Sequence, residues 1–389
     1  MNKLLLFSAA LFLAGIAVGE TAASADDAIR KQILTLFPQA DTNQDGIISD
    51  SEEAVVCRQA LKRFPQADRD RNGVLSDQEK QSLLRAIADR TANAAAGRKR
   101  QPSHREVSYG EHERQVFDIW LASSTEPTPL AIYIHGGGFK GGSKENLDAN
   151  VLSELLSEGI SVAAINYRYA TTAPLPAAHH DARRALQFMR SRADGWNIDT
   201  QRVAAFGGSA GAQICMWLAF TGEMAEPESD DPIRRESTRL TCVATKGGQT
   251  SNSIDFYRQW IEPLMDNGQK IESLSRPLGK ITNPEKVRMA TWGAKSLEEA
   301  NATASRHSAL SIISSDDPPI FMSYGMSPDA PRPRERGRVR GWLIHHVNFG
   351  IALKKKTDPL GVEAHLKYPG SKSRYESEVE FFRAKLLEK

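Results

Sequence analysis

Chemistry in this sequence could start at a serine set among glycines. Val203–Phe206 is a short apolar run. It leads into Gly207-Gly208-Ser209-Ala210-Gly211, and an apolar helical stretch follows. This is G-x-S-x-G between a strand and a helix, a turn tight enough to lift the serine Oγ clear of a sheet as a nucleophile. The positive end of the helix behind Ser209 would help to stabilise negative charge formed there. Upstream, a strand ending at Ile134 runs into His135-Gly136-Gly137-Gly138-Phe139. The backbone N–H groups of Gly137, Gly138 and Ala210 could converge on one oxygen and hold the anion of a tetrahedral intermediate, each donor being worth about 3 kcal/mol. A phosphate-binding reading of these glycines lacks its G-x-x-x-x-G-K-[ST] pattern.

A second chemistry lies near the front. FPQADTNQDGIISDSE begins at Phe37 and FPQADRDRNGVLSDQE at Phe64. Each copy holds a twelve-residue D-x-[DN]-x-[DN]-G-x5-E loop. The first loop offers Asp41, Asn43, Asp45, the Ile47 carbonyl, Ser49 and Glu52. The second offers Asp68, Asp70, Asn72, the Val74 carbonyl, Ser76 and Glu79. Six to eight oxygens closed by a bidentate glutamate suit Ca²⁺, a hard cation. Two such loops read as an EF-hand pair holding two Ca²⁺ ions. The loops share one short helix, about Ser51–Arg63, so the pair is compressed, somewhat like dockerin repeats. Such a module suits a structural role, or docking to a protein partner or polymer, better than an opening switch. Ile48 and Leu75 stand where apolar side chains could pair the loops.

The elements that must position the serine alternate. Strand candidates are Gln115–Leu121, Leu130–Ile134, Ser161–Asn166, Val203–Phe206, Thr241–Thr245, Pro319–Tyr324 and Val362–Tyr368, with helices such as Leu147–Ser157 and Asp181–Ala193 between them. That alternation predicts a mostly parallel α/β sheet. Residues 26–90 form the calcium-loop module and residues 91–105 a linker, where Thr91–Gln101 is small, polar and basic. Residues 106–389 form the α/β domain. Residues 1–25 read as a signal peptide: Lys3, then apolar Leu4–Val18, then Ala23-Ser24-Ala25 as a cleavage site. The apolar run is short of the roughly 20 residues of a membrane span. The mature chain is expected in a periplasm or outside the cell.

The residues of the main domain resemble the α/β-hydrolase superfamily, in particular its hormone-sensitive-lipase-like and carbohydrate-esterase-like branch. The match is carried by His135–Phe139, Asn166-Tyr167-Arg168, Pro174–Asp181, Asn197-Ile198-Asp199 and Gly207–Gly211. The resemblance implies an esterase that forms an acyl-serine, with its acid and its histidine following the serine in that order. Asp316–Ile320 matches the approach to the seventh strand, and Asp329 stands one position late for the acid. A basic insertion, APRPRERGRVR, comes next. The catalytic histidine is expected just after Gly361–Gly370, where the chain reads Ser371-Lys372-Ser373-Arg374-Tyr375 instead. A serine at neutral pH needs a base, so the base must come from elsewhere. His345 and His346 follow the insertion and could approach from the strand-seven side. His179, His180 and His307 are further candidates, while His365 should face structure. His346 is taken as the base and Asp329 as its orienter. His179-His180-Asp181 reads as a loop before a helix rather than as a metal cluster.

Composition narrows the remainder. The 389 residues are 40% hydrophobic and 25% charged, with a formal net charge of +2. No field of that size points to nucleic acid or an anionic membrane. Three cysteines, Cys57, Cys215 and Cys242, make no disulfide framework and read as buried free thiols. The sequence therefore carries three functional readings. The first is an exported esterase acting on small acyl esters, free or on polysaccharides. The second is a hydrolase-fold binding protein that has lost its base. The third is a calcium-dependent docking protein.

Overall fold

The computed structural model describes residues 25–64, 67–68, 72–265 and 284–388. Two compact units divide between Ala92 and Asn93. Of residues 1–25, expected to be a signal peptide, only Ala25 falls within the described residues. Among these, no helix is long and apolar enough to cross a membrane.

The first unit is built from helices α1 (Ala25–Leu36) and α2 (Asp50–Arg63) and from most of α3 (Asp77–Lys99). Each twelve-residue acidic loop ends in the first turn of a helix. Ser49 caps α2, accepting from the Glu52 N–H while Glu52 accepts from the Ser49 N–H, a reciprocal capping box. Ile29, Ile33, Ile48 and Leu84 form a small core, and Leu75 is also buried. Glu53 ties the three helices together, receiving Arg30 at 3.0 Å and Lys80 at 2.7 Å. The expected linker is corrected in part. Helix α3 continues to Lys99 because Ala94-Ala95-Ala96 are strong helix formers and no proline intervenes before Pro102.

The second unit is an eight-stranded sheet in the order β1-β2-β4-β3-β5-β6-β7-β8. The strands are β1 (His104–Ser108), β2 (Val116–Trp120), β3 (Thr128–Ile134), β4 (Ser161–Ile165), β5 (Ile198–Gly208), β6 (Cys242–Lys246), β7 (Ile320–Ser323) and β8 (Ala364–Lys367). β2 pairs antiparallel with β1 and β4; all pairs from β4 to β8 are parallel. The connecting helices are α4 (Ala149–Ser157), α5 (Ala177–Ser191), α6 (Ala193–Trp196), α7 (Ala210–Phe220), α8 (Ile254–Trp260), α9 (Pro284–Trp292), α10 (Leu297–Arg306), α11 (Ala309–Ile312), α12 (Arg336–Ile344), α13 (Asn348–Leu360) and α14 (Glu378–Leu386). Parallel strands covered on both faces read as continuous apolar runs, and β3 and β4 are buried along nearly their whole length.

Successive strand residues face opposite layers. Leu130, Ile132 and Ile134 join Cys215 of α7 in one core, while Ala131 joins Cys242 and Phe382 in the other. Cys215 and Cys242 are thus buried free thiols on opposite faces of the sheet, and Cys57 is a half-buried one on α2. At the antiparallel edge, the buried Lys144 ammonium meets Asp118 at 2.9 Å, Glu106 at 2.5 Å and Glu145 at 2.7 Å. These three carboxylates are therefore a lysine site that pins β1 and β2 to the turn before α4.

Candidate active site

The elbow is built by close approach. Registered pairing sets Gly207 beside Ile134 and Gly208 beside Lys246. A Cβ on Gly211 would lie 2.0 Å from the Ile134 carbonyl oxygen, so only glycine lets α7 start against the end of β3. Ser209 sits between them at φ 53° and ψ −118°. A non-glycine residue in that region stores roughly 1–3 kcal/mol and persists only where the surroundings force it. Here the Ser209 N–H is donated to the Lys246 carbonyl at 3.0 Å, and the Ser209 carbonyl accepts from the Gln213 N–H at 3.1 Å. The side chain is half-buried, and no hydrogen bond to its Oγ occurs among the described residues.

The glycine loop after β3 faces the elbow. A Cβ on Gly136 would stand 3.4 Å from the Ser209 Cβ and 2.8 Å from the Gly208 carbonyl oxygen. Gly137, Gly138 and Phe139 all take positive φ, at 113°, 61° and 59°. Gly137 is required, because a Cβ there would meet the Gly141 carbonyl oxygen at 2.1 Å. Among the described residues, the Gly137, Gly138 and Ala210 N–H groups donate to no acceptor. Three amides left open beside a strained serine suit a developing oxyanion.

The scaffold behind this loop was legible in the sequence only as part of a resemblance. The Tyr167 hydroxyl donates to the His135 carbonyl at 2.9 Å, and the two rings stack at 4.2 Å. The Ala170 N–H holds the Phe139 carbonyl at 2.7 Å. Arg168 binds the buried Asp181 carboxylate through its backbone N–H and its guanidinium, and Gln115 reaches the same carboxylate at 2.8 Å. Arg114 stacks on Tyr169 at 3.7 Å and donates to the Tyr167 carbonyl. Burial, against a partly offsetting hydrogen bond to the Gly136 carbonyl, brings His135 down to about 4. His135 is therefore a neutral strut of the loop.

Among the described residues, the expected base and acid contact neither each other nor Ser209. His346 is fully buried, edge-on to Trp342 at 5.2 Å. Its Nδ1 accepts from the Asn348 N–H at 3.2 Å, its Nε2 is sealed without a partner, and burial lowers it to about 4. Asp329 is exposed, and its hydrogen bond to the Ser327 side chain lowers its carboxyl. No contact joins Asp329 to a histidine among the described residues. Locally, helix α12 ends at Ile344 and the chain turns at His345 (φ −123°, ψ 19°) before His346.

The neighbouring ring lies elsewhere. His345 is half-buried, with Nδ1 2.8 Å from the Gly247 carbonyl oxygen and 3.2 Å from the Gln249 amide nitrogen. The other histidines pack structurally. His179 is sealed among Phe139, Trp217, Trp292 and His307, and burial holds it well below its ordinary value. His180 is exposed on α5, its ring near Trp217. His307 donates from Nδ1 to the Thr303 carbonyl at 2.8 Å, and His365 faces Glu363 at 2.8 Å.

The two twelve-residue acidic loops are shaped by their own side chains. Asp41 accepts from the Asp45 N–H at 3.2 Å and the Gly46 N–H at 2.8 Å, and Asp45 from the Ile47 N–H at 2.8 Å. Asn43 accepts from the Asp45 N–H at 3.2 Å. Glu52 turns back from α2, accepting from Thr42 N–H at 2.6 Å and Ser49 Oγ at 2.8 Å. These hydrogen bonds, Thr42's first and Ser49's next, hold its carboxyl at about 2. In the second loop Asp68 accepts from the Gly73 N–H at 2.9 Å, Asn72 from the Val74 N–H at 2.8 Å, and Glu79 from Ser76 Oγ at 2.7 Å. Asp70 lies outside the described residues. Gly46 and Gly73 take φ 82° and 83°, the sharp turn such loops need. An all-oxygen donor set with a terminal carboxylate fits a hard cation such as Ca²⁺.

Comparisons with known proteins follow the same outline. A family profile described as BD-FAE matches residues 117–332, more than half of the chain. Esterase LipC of Mycobacterium tuberculosis is 23% identical over 229 residues, covering 55% of this chain and 57% of that protein. The ethyl acetate hydrolase of Pseudomonas putida is 34% identical over 140 residues, 33% of this chain and 44% of that protein. The chain thus spans about half the length of the curated relatives it matches. A solved structure, the bifunctional GH43-CE protein of Bacteroides eggerthii, aligns with TM-score 0.51 at 19% identity over 72% of this chain and 38% of that one, a likeness of fold. The profile match takes in the glycine loop, the elbow and the strands from β2 to β7, and the chain belongs to the BD-FAE family, one of the α/β-hydrolase families.

Proposed function

We propose that this chain is an exported serine hydrolase that cleaves small acyl esters, free or carried on a polysaccharide, and that its front module binds two Ca²⁺ ions. The observation that carries the reading is Ser209, held at φ 53° beside three unpaired amides. Ser209 Oγ attacks the ester carbonyl carbon. The oxygen gains negative charge against the Gly137, Gly138 and Ala210 N–H groups. Collapse expels the alcohol and leaves an acyl-serine, which water hydrolyses to the acid. The similarity to an ethyl acetate hydrolase supports a short acyl group. The polysaccharide carrier rests on the resemblance to carbohydrate esterases. The leader around Leu4–Val18 supports action in a periplasm or outside the cell. Calcium at Asp41–Glu52 and Asp68–Glu79 would bring each loop's carboxylates onto one ion, stabilising the first unit and any docking face it presents.

The test is hydrolysis of p-nitrophenyl acetate, butyrate and octanoate, with Ser209→Ala as control. Turnover that falls with acyl length and vanishes in the variant supports the reading. A second reading has its own observation: the loop Ser371–Tyr375 holds no histidine. Binding of esters by a folded protein that turns over none of them would move the conclusion to a binding protein.

A further inference from the structure

We propose that His345 is the general base of this site, oriented by the Gly247 carbonyl instead of by a carboxylate. The inference rests on Ser209 being the nucleophile. Two hydrogen bonds separate the two residues. The Ser209 N–H reaches the Lys246 carbonyl at 3.0 Å, and the next carbonyl along, that of Gly247, contacts His345 Nδ1 at 2.8 Å. The Gly247 backbone is fixed at φ +56°, and a Cβ there would stand 3.2 Å from His345 Nδ1, so the ring lies directly over this glycine. β6 neighbours β5 in the sheet, and Gly208 pairs with Lys246. The ring therefore stands over the strand end next to the elbow.

The tautomer follows from counting donors. A carbonyl oxygen only accepts, so the 2.8 Å contact requires a hydrogen on Nδ1. The Gln249 amide group has two hydrogens, and it faces the Gly247 carbonyl at 3.2 Å and the Ile344 carbonyl. Both are committed, so Gln249 does not need Nδ1 as an acceptor. With Nδ1 protonated, the lone pair is on Nε2, which has no partner among the described residues. Serine catalysis needs this form: Nδ1–H held by an orienting acceptor, Nε2 open to take the serine proton. Gln249 is a positioning residue. Its Oε1 accepts from the Gln213 amide at 2.7 Å, which ties the histidine's cradle to the helix that begins behind Ser209. The cradle is itself pinned, with the Gly247 N–H on the Ser323 carbonyl at 2.8 Å and the Tyr324 hydroxyl on the Gly248 carbonyl at 2.6 Å.

The step balances without further reagents. The Ser209 Oγ–H proton passes to His345 Nε2 as Oγ bonds to the ester carbonyl carbon. When the tetrahedral intermediate collapses, the C–O bond to the alcohol breaks and Nε2–H gives that proton to the leaving oxygen. Water then repeats the sequence: one proton goes to Nε2, hydroxide bonds to the acyl carbon, and the proton returns to Ser209 Oγ as the acid leaves. A neutral carbonyl stabilises the imidazolium less than a carboxylate would, so slow turnover is expected of such a pair.

The experiment measures the rate at which a fluorophosphonate labels the full-length protein. It uses the parent and the Ser209→Ala, His345→Gln, His346→Gln and His345→Ala variants, each checked as folded by tryptophan fluorescence. The expected result is that the parent labels, Ser209→Ala does not, and His345→Gln labels about 10³-fold more slowly. His346→Gln should label at close to the parent rate, and added imidazole should restore p-nitrophenyl acetate hydrolysis in His345→Ala. If His345→Gln labels as fast as the parent, His345 is not the base, while the nucleophile stands. A parent protein that does not label at all would overturn both.

Discussion

Mild acid should weaken the second unit through its buried histidines. Burial brings both His135 and His346 from 6.5 to about 4. A folded-state value below the unfolded one means that the unfolded chain takes up protons first. The contribution to stability is complete above about pH 6.5 and is lost as the pH falls toward 4. At 1.36 kcal/mol per unit, each histidine removes about 2 kcal/mol between pH 7 and pH 5, together about 4 kcal/mol. That is a large share of the roughly 5–15 kcal/mol by which domains are stable. His179, sealed among aromatic rings, acts in the same direction, whereas Asp317, whose carboxyl burial raises, opposes it. All six tryptophans lie beyond residue 92, so tryptophan fluorescence follows the second unit alone. With a urea slope of about 2 kcal/mol per M, the urea midpoint should drop by about 2 M from pH 7 to pH 5. Equal midpoints at the two pH values would refute the claim that these rings are held neutral by burial.

Other expectations follow from single contacts. Lys144→Met leaves the buried Asp118 without its ammonium and should cost about 3–5 kcal/mol in urea unfolding; a loss under 1 kcal/mol would mean that the edge is open to water. Gly211→Ala drives a Cβ into the Ile134 carbonyl oxygen and should lower the thermal midpoint by an amount equivalent to about 1–3 kcal/mol; an unchanged midpoint would show that the elbow does not press on β3. Calcium titration calorimetry should show two equivalents, with Glu52→Gln and Glu79→Gln each removing one; an unchanged stoichiometry would exclude those carboxylates as ligands. Hydrogen bonds lower the Glu52 carboxyl to about 2, so its contribution to the first unit should be present above pH 4.5 and be lost between there and pH 2. Circular dichroism of the helices across that range measures it.

The strands were readable because parallel sheets write themselves as apolar runs. Leu130–Ile134, Val203–Phe206 and Thr241–Thr245 each fall on or within a residue of an observed strand. β1 was not readable: His104–Ser108 carries one apolar residue on an exposed edge, so no pattern marks it. At the site, Ser209 and the glycine loop were legible because backbone geometry demands glycine at fixed spacings. The base was not, since it depends on which of two adjacent histidines a helix end turns toward Gly247. Sequence spacing holds no record of that rotation. Gln213 and Gln249 left no signal either, as a side-chain amide bridge 36 residues apart in the chain is visible only once the fold brings it together.

The placement of the three thiols has a practical consequence. Cys215 and Cys242 lie on opposite faces of the sheet, so no disulfide can join them, and the second unit has no covalent crosslink for a reductant to remove. Its folded state therefore does not depend on a disulfide. The same burial makes both sulfurs inert to alkylating reagents until the sheet opens, while the half-buried Cys57 on α2 answers to motions of the first unit. A single untagged chain thus carries two clocks, one in each unit. Mass spectrometry of timed alkylation would read their opening rates separately, with and without calcium.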